Sequence, residues 1–283
     1  MISSNTIPKQ WTFVSTSAKG RNVECTDSLL PELFDLDESC VEERFSEFFE
    51  KWMCQLDEYL QHLQKASEDY RAKTRCEREQ ELQASVSKVT QHYKDYYIIK
   101  WALAHEDVLA FFCPIWISPL ENAYSWVTRR KPSAVLKLVN SIRTNGVLYS
   151  GLVELTQEQM KKIEALRVKI RLEEERVEKE LERQQVAVAD RKMAELVRLV
   201  VRVKNGEEVR QVEGLVQVAL KGVMVGLKKV MKVADCVRLR TLKGVLDVLS
   251  LLQCVEFLAD IDMLQILLRQ WGKKRFTPLI RNF

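Results

Sequence analysis

Apolar side chains recur at intervals of three and four residues from Phe45 to Leu63, which is the spacing of one buried face of an α-helix. The apolar positions are Phe45, Phe48, Phe49, Trp52, Met53, Leu56, Tyr59, Leu60 and Leu63. Ser39 and Glu42 have the S-x-x-E spacing of a capping box, which predicts the start of this helix. The polar run 64–81 either continues the helix on its solvated side or interrupts it with a loop.

The same spacing continues over residues 86–112 and predicts a second helix that is rich in aromatic rings. Its apolar positions are Val86, Val89, Tyr93, Tyr96, Tyr97, Trp101, Ala104, Val108, Phe111 and Phe112. Pro114 cannot continue an α-helix, so we expect this helix to end there. Ser118, Pro119 and Glu121 then form a second capping box and predict a short helix. Its apolar residues are Leu120, Ala123, Tyr124, Trp126 and Val127.

Two further helices are predicted in the middle of the chain. Residues 133–143 form the first, which stops at Asn145–Gly146 because this pair favours a helix C-terminus. Thr156 and Gln159 make a third capping box and begin the longest helix. Its heptad seam fails because Glu173 occupies a core position, so we expect a domain helix with a charged outer face and no coiled coil.

The last third of the chain is rich in valine. The segment 196–203 has the β-branched character of a strand, although no partner strand is visible. Asn205–Gly206 predicts a break, and Glu208–Val233 a helix. A last helix or helix pair is expected from about Asp235 to Trp271. Its buried stripe is Leu242, Val245, Leu246, Leu249, Leu252, Leu258, Ile261, Leu264 and Leu268.

Composition supports the same fold class. The 283 residues are 46% hydrophobic and include only 9 Gly and 6 Pro, which leaves little turn chemistry for a β fold. We therefore predict an all-α protein of seven or eight helices, a multi-helix bundle with a disordered acidic N-terminal arm. The expected organisation is a disordered, Ser-rich and acidic arm at 1–38, a helical domain at 39–275 and a tail at 276–283. Within the arm, 29–37 has the composition of a short docking peptide.

Charge is distributed unevenly. From Glu24 to Glu50 there are ten acidic residues and one basic residue, whereas from Lys221 to Lys243 there are seven basic residues and one acidic residue. These two segments either attract each other or attract different partners. Alternatively, they are ordinary solvated helix faces. The basic segment contains no Asn or Gln to contact base edges, which argues against direct sequence-specific DNA binding by this chain.

No sequence motif indicates an enzyme, a cofactor or a metal site. The glycines form no phosphate-binding loop, and neither E-x-x-H nor H-E-x-x-H occurs. Glu58 and His62 could share one helix face, but two ligands do not make a metal site. Gly222 and Gly226 form a G-x-x-x-G pattern, which in a charged helix predicts close helix packing.

The seven cysteines are never closer than 14 positions apart, so no C-x-x-C motif exists. Their odd number and irregular spacing predict reduced thiols inside a cell. Cys54, Cys113 and Cys254 lie among apolar residues and are expected in the core. Without an apolar signal-peptide run or a stretch of about 18 apolar residues, we expect a soluble protein with no transmembrane segment.

Four segments in order resemble the delay-of-germination (DOG) domain, the plant module that also forms the C-terminal part of TGA-type basic-zipper factors. They are "FFEKWMCQLDEYLQHL" (48–63), the block from "HYKDYYIIK" to "PIWISPLENAYSW" followed by "KPS" (92–133), "LTQEQMKKIEALRVKI" (155–170), and "ADCVRLRTLKGVLDVLSLLQCVEFL" followed by "QWGKKR" (234–275). The resemblance spans most of 41–275.

The resemblance implies an all-helical, non-enzymatic plant regulator that acts through protein–protein contacts in seed dormancy, transcription regulation or development. The TGA factors carry a basic zipper before this domain, whereas residues 1–40 here are acidic and Ser-rich. Some family members bind haem through histidines before the "WG" of the last helix. Gln265 and Arg269 occupy that stretch here and no histidine follows His105, so we predict no haem and no other cofactor.

Three functions stay open within this resemblance: a dormancy regulator, an inaperturate-pollen-type factor that specifies pollen aperture membrane domains, and a DNA-associated transcriptional regulator. The expected partners are other regulatory proteins or a second copy of the chain, and peripheral membrane association is also open. The expected location is the nucleus and cytoplasm for the first function and the plasma membrane periphery for the second.

Residues 92–126 hold nine of the chain's 23 aromatic side chains, together with Pro114 and Pro119. Packing of these rings in the core of a proline-broken corner is the favoured interpretation, since aromatic side chains bury the most area. The alternative hypothesis is an apolar cavity for a lipid-like ligand. The residues expected around it are Tyr93, Tyr97, Trp101, Trp116 and Trp126.

Overall fold

The computed structural model describes residues 40–70, 75–145, 155–202 and 206–274, and these residues form helices joined by turns, with one isolated bridge between Trp126 and Arg129. The helices are α1 Val41–Tyr70, α2 Arg75–Leu103, α3 Leu109–Phe112, α4 Pro119–Ala123, α5 Pro132–Asn145, α6 Gln157–Ala187, α7 Arg191–Arg202, α8 Gly206–Leu246 and α9 Leu251–Lys274. The predicted all-α bundle is confirmed. The expected arm at 1–38 and tail at 276–283 lie outside the described residues.

Helix α1 buries the apolar face expected from its spacing, including Phe45, Phe49 and Leu56. The polar run continues the helix as far as Tyr70, and α2 begins at Arg75. Ser39 of the predicted capping box lies outside the described part of the chain.

The second helix ends eleven residues earlier than predicted, at Leu103 and not at Pro114. The chain turns at residues 104–107, where the N–H of His105 donates to the carbonyl of Ala102 at 3.1 Å. Asp107 Oδ1 then accepts the backbone N–H of Leu109 at 2.8 Å and supports the start of α3. The chain therefore leaves the helix and starts a new one before it reaches the proline.

The capping box of α4 is confirmed: Ser118 Oγ accepts the N–H of Glu121, and Glu121 Oε2 accepts the N–H of Ser118 at 2.9 Å. The helix ends at Ala123, so the expectation that Trp126 and Val127 belong to it is wrong. These two residues lie in a tight turn that follows the helix.

Helices α5 and α6 agree with the sequence prediction. Helix α5 ends at Asn145, and α6 begins after the capping box of Thr156 and Gln159. Helix α6 buries a narrow stripe that includes Ile163 and exposes most of its charges, as expected of a domain helix.

The valine-rich region differs from two expectations. The segment 196–203 is not a strand, since α7 extends through Arg202. Helix α8 begins at Gly206, close to the predicted break, but it runs to Leu246 without a new start near Asp235. Neither glycine nor proline lies between residues 227 and 243, so nothing ends the helix there.

The core is built where α9 packs against α1 and α2, while α6 packs against α8 and α5 contacts both. Aromatic rings fill this core: the ring centroid of Phe45 lies 4.8 Å from Phe111, 4.7 Å from Trp116 and 5.7 Å from Tyr96. The favoured interpretation of the aromatic stretch as core packing is confirmed for these rings.

Two predicted core cysteines are exposed. Cys54 and Cys113 face solvent, because Cys54 lies on the outer side of α1 and Cys113 caps the short α3, whereas Cys254 is buried as expected. Close packing holds at Gly226, beside the Gln184 side chain, but nothing lies near Gly222. None of the described helices is long and apolar enough to span a bilayer.

Candidate functional site

A cavity of about 130 Å³ lies between α1, α2, α5, α8 and α9. Its apolar wall consists of Trp52, Tyr93, Tyr96, Tyr97, Val135, Leu138, Leu239, Leu242, Ile261 and Leu264. Ala134 also lines the cavity and is exposed, so the cavity is open to solvent on the α5 side. A cavity of this volume can hold about one six-membered ring. It is smaller than the roughly 300 Å³ at the lower end of the usual range for ligand pockets.

A chain of hydrogen bonds fixes one wall of the cavity. The Tyr93 hydroxyl donates to Asp262 Oδ1 at 2.6 Å and accepts from Gln265 Nε2 at 2.5 Å. Burial raises the pKa of Asp262 to about 8, so this carboxyl is mainly protonated at neutral pH. Because the acid behind Tyr93 is neutral, it places no negative charge beside the cavity.

The tight turn 126–129 lies beside the cavity, which Arg129 lines, and side chains from α2 and α8 hold it in place. Val127 and Thr128 have φ angles of 35° and 59°, in the left-handed region that favours glycine. Arg238 donates to the carbonyls of Val127, at 3.2 Å, and Arg130, at 2.7 Å. Lys100 Nζ donates to Thr128 Oγ1 at 3.0 Å, so two buried cations stabilise an unusual backbone conformation.

Four cations line the cavity, and no carboxylate does. Arg238 pairs with Asp235, and Lys131 Nζ lies 2.7 Å from Glu178 Oε1. Arg129 lies 4.8 Å above the Phe49 ring and 3.8 Å from a carboxylate oxygen on α4. Within the described ranges, the Arg130 guanidinium makes no hydrogen bond or ion pair. Burial and the neighbouring Arg129 lower the pKa of Arg130 to about 10.

The five aromatic residues expected around a cavity are divided among several places. Tyr93 and Tyr97 line the cavity described above, and Trp116 lines a second one of about 270 Å³. The Trp101 indole donates to Asp235 Oδ2 at 3.1 Å, and the Trp126 indole to Glu178 Oε1 at 2.8 Å, and neither lines either cavity.

Sequence reasoning missed the basic residues of the site. No site role is predicted for 129–131, and Arg238 enters the prediction only as one of the seven basic residues from Lys221 to Lys243. The available signal was the position of "RRK" between the aromatic stretch and Pro132, which brings three cations to the same corner as the rings. The long-range approach of Arg238 to the turn has no signal in the local sequence.

The histidines have structural contacts. The His92 ring stacks on Trp52 with centroids 4.8 Å apart, and burial lowers the pKa of His92 to about 4. His105 Nδ1 lies 3.0 Å from Lys228 Nζ. Across residues 40–70, 75–145, 155–202 and 206–274, no three His, Cys, Asp or Glu side chains converge on a possible metal position.

The two positions associated with haem ligation in the family hold other contacts here. Gln265 binds the Tyr93 hydroxyl, and Arg269 donates to the carbonyl of Trp116 at 3.0 Å and pairs with Glu50. Helix α9 contains no histidine, so these residues do not fit axial ligation of haem iron.

The basic segment of α8 is largely engaged within the fold. Arg238 is buried, and Arg240 pairs with Glu173 at 3.0 Å. Lys228 contacts His105, and Lys232 lies 5.0 Å from the centroid of the Trp101 ring. These contacts reduce the positive charge that the segment presents to a phosphate backbone.

Exposed apolar side chains lie on α7 and on the first half of α8, at positions that line neither cavity. We define the α7–α8 arm as α7 together with residues 206–225 of α8. No described side chain of α7 is buried, and Val201 and Val218 are 77% and 71% exposed. The exposed large apolar residues of the arm are Val197, Leu199, Val200, Val201, Leu215, Val218, Leu220 and Val225. Surfaces of this kind mark interaction sites.

Comparisons with known proteins agree with this architecture. Residues 55–141 match a family model described as DOG1, seed dormancy control. The chain is 48% identical over 235 residues to Protein DOG1-like 4 of Arabidopsis thaliana, covering 83% of this chain and 94% of the relative. It is 29% identical to Protein ZW2 and 28% identical to Protein RESPONSE TO ABA AND SALT 1 of the same plant, covering 81% and 82% of this chain and 96% of each relative.

Proposed function

Because the chain belongs to the DOG1-like family of plant proteins, we propose that it is a non-enzymatic regulator that binds other proteins in the control of seed dormancy and development. The matching family model is described as seed dormancy control, and the name of one relative refers to a response to ABA and salt, which supports a regulatory role in plants. The proposed location is the nucleus and cytoplasm.

The α7–α8 arm is the observation that carries this proposal. A protein that stays alone in solution rarely exposes eight large apolar side chains on two packed helices. Basic residues border the arm at Lys192, Arg198 and Arg202, and all three are exposed. A partner with an apolar face and an acidic border would cover both features.

A non-enzymatic role is supported by the engagement of the reactive groups in structural contacts. Asp235 binds Lys100, Trp101 and Arg238, and the buried Glu174 accepts the N–H of Ser133 at 2.6 Å. Burial raises the pKa of the Cys254 thiol to about 12, so it is protonated and unreactive.

The test is a double substitution in the arm, Val200→Asp with Val218→Asp. We expect the variant to fold like the wild type, because both side chains are exposed. Tagged copies would be expressed in plants that lack a functional copy of the gene, followed by measurement of seed germination and of co-purifying proteins. The variant is expected to lose both the dormancy phenotype and the specific partners.

The matched control is Lys169→Gln with Gln157→Asp, which changes net charge by the same amount at exposed polar positions of α6, outside the arm. It is expected to behave like the wild type. Full activity of the arm variant would contradict the proposal. Accumulation of the tagged protein at the pollen plasma membrane, with no seed phenotype, would favour the pollen-aperture function.

A further inference from the structure

The cavity beside the 126–129 turn combines an apolar wall with an unmatched positive charge. Three of its four cations have a carboxylate within 4 Å, whereas among the described residues no carboxylate lies that close to the Arg130 guanidinium, which Glu121 attracts only from a greater distance. No Asp or Glu lines the cavity, and the nearby Asp262 is already hydrogen-bonded to Tyr93. Placing a guanidinium beside apolar walls without an anion is unfavourable, so this arrangement favours an anionic ligand.

The geometry limits the ligand in two ways. An engineered cavity of about 150 Å³ holds one benzene molecule, so a cavity of about 130 Å³ holds an apolar group of about one six-membered ring. One unmatched guanidinium balances one negative charge, and its two parallel N–H groups fit a carboxylate. A phosphate dianion would bring a second charge for which the lining has no free partner.

We propose that this cavity binds a small organic acid whose single ring or short branched chain contacts Tyr93, Tyr97 and Leu242 and whose carboxylate pairs with Arg130. The opening beside Ala134 gives access from solvent. The site adds a ligand to the proposed regulatory function and does not depend on that function. It lies in a different part of the chain from the α7–α8 arm.

The cavity is formed by elements that are distant from one another in the sequence. Because the ligand would contact α2, α5, α8 and α9 together, it binds the folded chain and not the unfolded chain. Ligand binding of this kind stabilises the fold in proportion to the logarithm of ligand concentration. Thermal unfolding therefore reports occupancy without any knowledge of the natural ligand.

The experiment uses cyclohexanecarboxylate as the probe and cyclohexanecarboxamide as its neutral control. Binding to the full chain is measured by isothermal titration calorimetry and by intrinsic tryptophan fluorescence, to which Trp52 in the cavity wall contributes. We expect saturable binding of the carboxylate at least about tenfold tighter than that of the amide, together with a rise in unfolding temperature. Equal affinity for both probes, or no binding at millimolar concentration, would overturn the proposal.

Three variants locate the site. Arg130→Gln is expected to reduce carboxylate affinity to that of the amide, whereas the exposed Arg176→Gln is expected to leave it unchanged. Leu138→Trp fills the cavity and is expected to abolish binding of both probes. Because Arg130 lacks a partner, its substitution should not lower the unfolding temperature of the free protein. Unchanged carboxylate binding by Arg130→Gln would refute the assigned role.

Discussion

Lys100 on α2 and Asp235 on α8 form a fully buried ion pair, with Nζ 2.9 Å from Oδ2 and side chains that are 1% and 0% exposed. The other oxygen of Asp235 binds Arg238 Nη1 at 2.6 Å. Through these two cations, one carboxylate connects two helices to the turn at Val127 and Thr128. The pair therefore organises the corner in which the candidate ligand cavity lies.

Replacing Asp235 is expected to destabilise the fold strongly. Asp235→Ala leaves Lys100 and Arg238 buried without their anion, and removal of one partner from a buried pair costs about 3–5 kcal/mol. Urea unfolding followed by circular dichroism measures this free energy. Lys162→Gln, which removes the exposed Lys162–Glu158 pair on α6, is the control and should leave the free energy of unfolding nearly unchanged. Equal losses for the two variants would contradict the assigned role of the buried pair.

The left-handed turn predicts an unusual order of stability for the glycine and alanine variants of Val127. Glycine is normally worse than alanine inside folded elements, by about 0.5–1 kcal/mol. At a φ of 35°, glycine is unstrained whereas alanine keeps part of the strain, so Val127→Gly should be more stable than Val127→Ala. The free energies of unfolding of both variants provide the test.

Val139 is the control position for this comparison of glycine and alanine variants. It is fully buried within α5, where the backbone is helical, and there the alanine variant should be the more stable. Greater stability of the alanine variant at both positions would show that the left-handed turn imposes no cost on a residue with a Cβ.

Most of the fold follows from local sequence signals. The apolar spacing of α1, the capping boxes at Ser118 and Thr156, and the break near Asn205–Gly206 each act over a few residues, and each places a helix boundary or face correctly. The end of α2 at Leu103 was not predicted, although the turn that follows it also uses a local contact, from the N–H of Leu109 to Asp107 Oδ1.

The site is harder to infer because its contacts are long-range. Arg238 lies 108 positions from Arg130, and Tyr93 lies 169 positions from Asp262. The sequence around a basic residue in a helix does not show whether its side chain is solvated or is buried and hydrogen-bonded to a carbonyl group. The aromatic residues could be assigned to the core, but their division among two cavities and two indole hydrogen bonds depends on the packing of five helices.

Asp262 gives the protein a specific pH dependence. Its pKa is about 8 in the folded chain, because of burial, against an ordinary value of 3.8. Between these values the folded chain binds more protons than the unfolded chain, so stability falls as the pH rises from about 4 to about 8. Asp262→Asn keeps an acceptor for Tyr93 and removes this titration. At about pH 8 we expect it to exceed the wild type by at least about 1 kcal/mol.

The measurement is urea unfolding at about pH 4.5 and about pH 8. The advantage of Asp262→Asn should be small at the lower pH and large at the higher one. Some dependence should remain, because burial and the nearby Glu256 raise the pKa of Asp260 to about 7. The exposed Asp57→Asn serves as the control and should follow the wild type. A constant difference across the pH range would exclude Asp262 as the source.

Gly272 and Gly222 predict opposite effects of the same substitution. A Cβ on Gly272 would lie 2.0 Å from Ser118 Oγ and 2.6 Å from Ser118 Cβ, so Gly272→Ala must displace the residue that caps α4. Losing this cap costs about 1 kcal/mol, and moving the α4–α9 contact adds to it. Gly222 has nothing within 4 Å, so Gly222→Ala should stabilise α8 by about 0.5–1 kcal/mol.

Thermal and urea unfolding of the two variants decide between a packing requirement and simple helix propensity. Propensity alone favours alanine at both positions, since both lie inside helices. A lower stability of Gly272→Ala would therefore identify close approach to Ser118 as the reason for glycine in the "QWGKK" segment. Restoring space with Ser118→Gly in the Gly272→Ala background should recover part of the loss, because glycine lacks the clashing side chain and costs a cap only a few tenths of a kcal/mol. Stabilisation by Gly272→Ala would rule out that contact as a constraint.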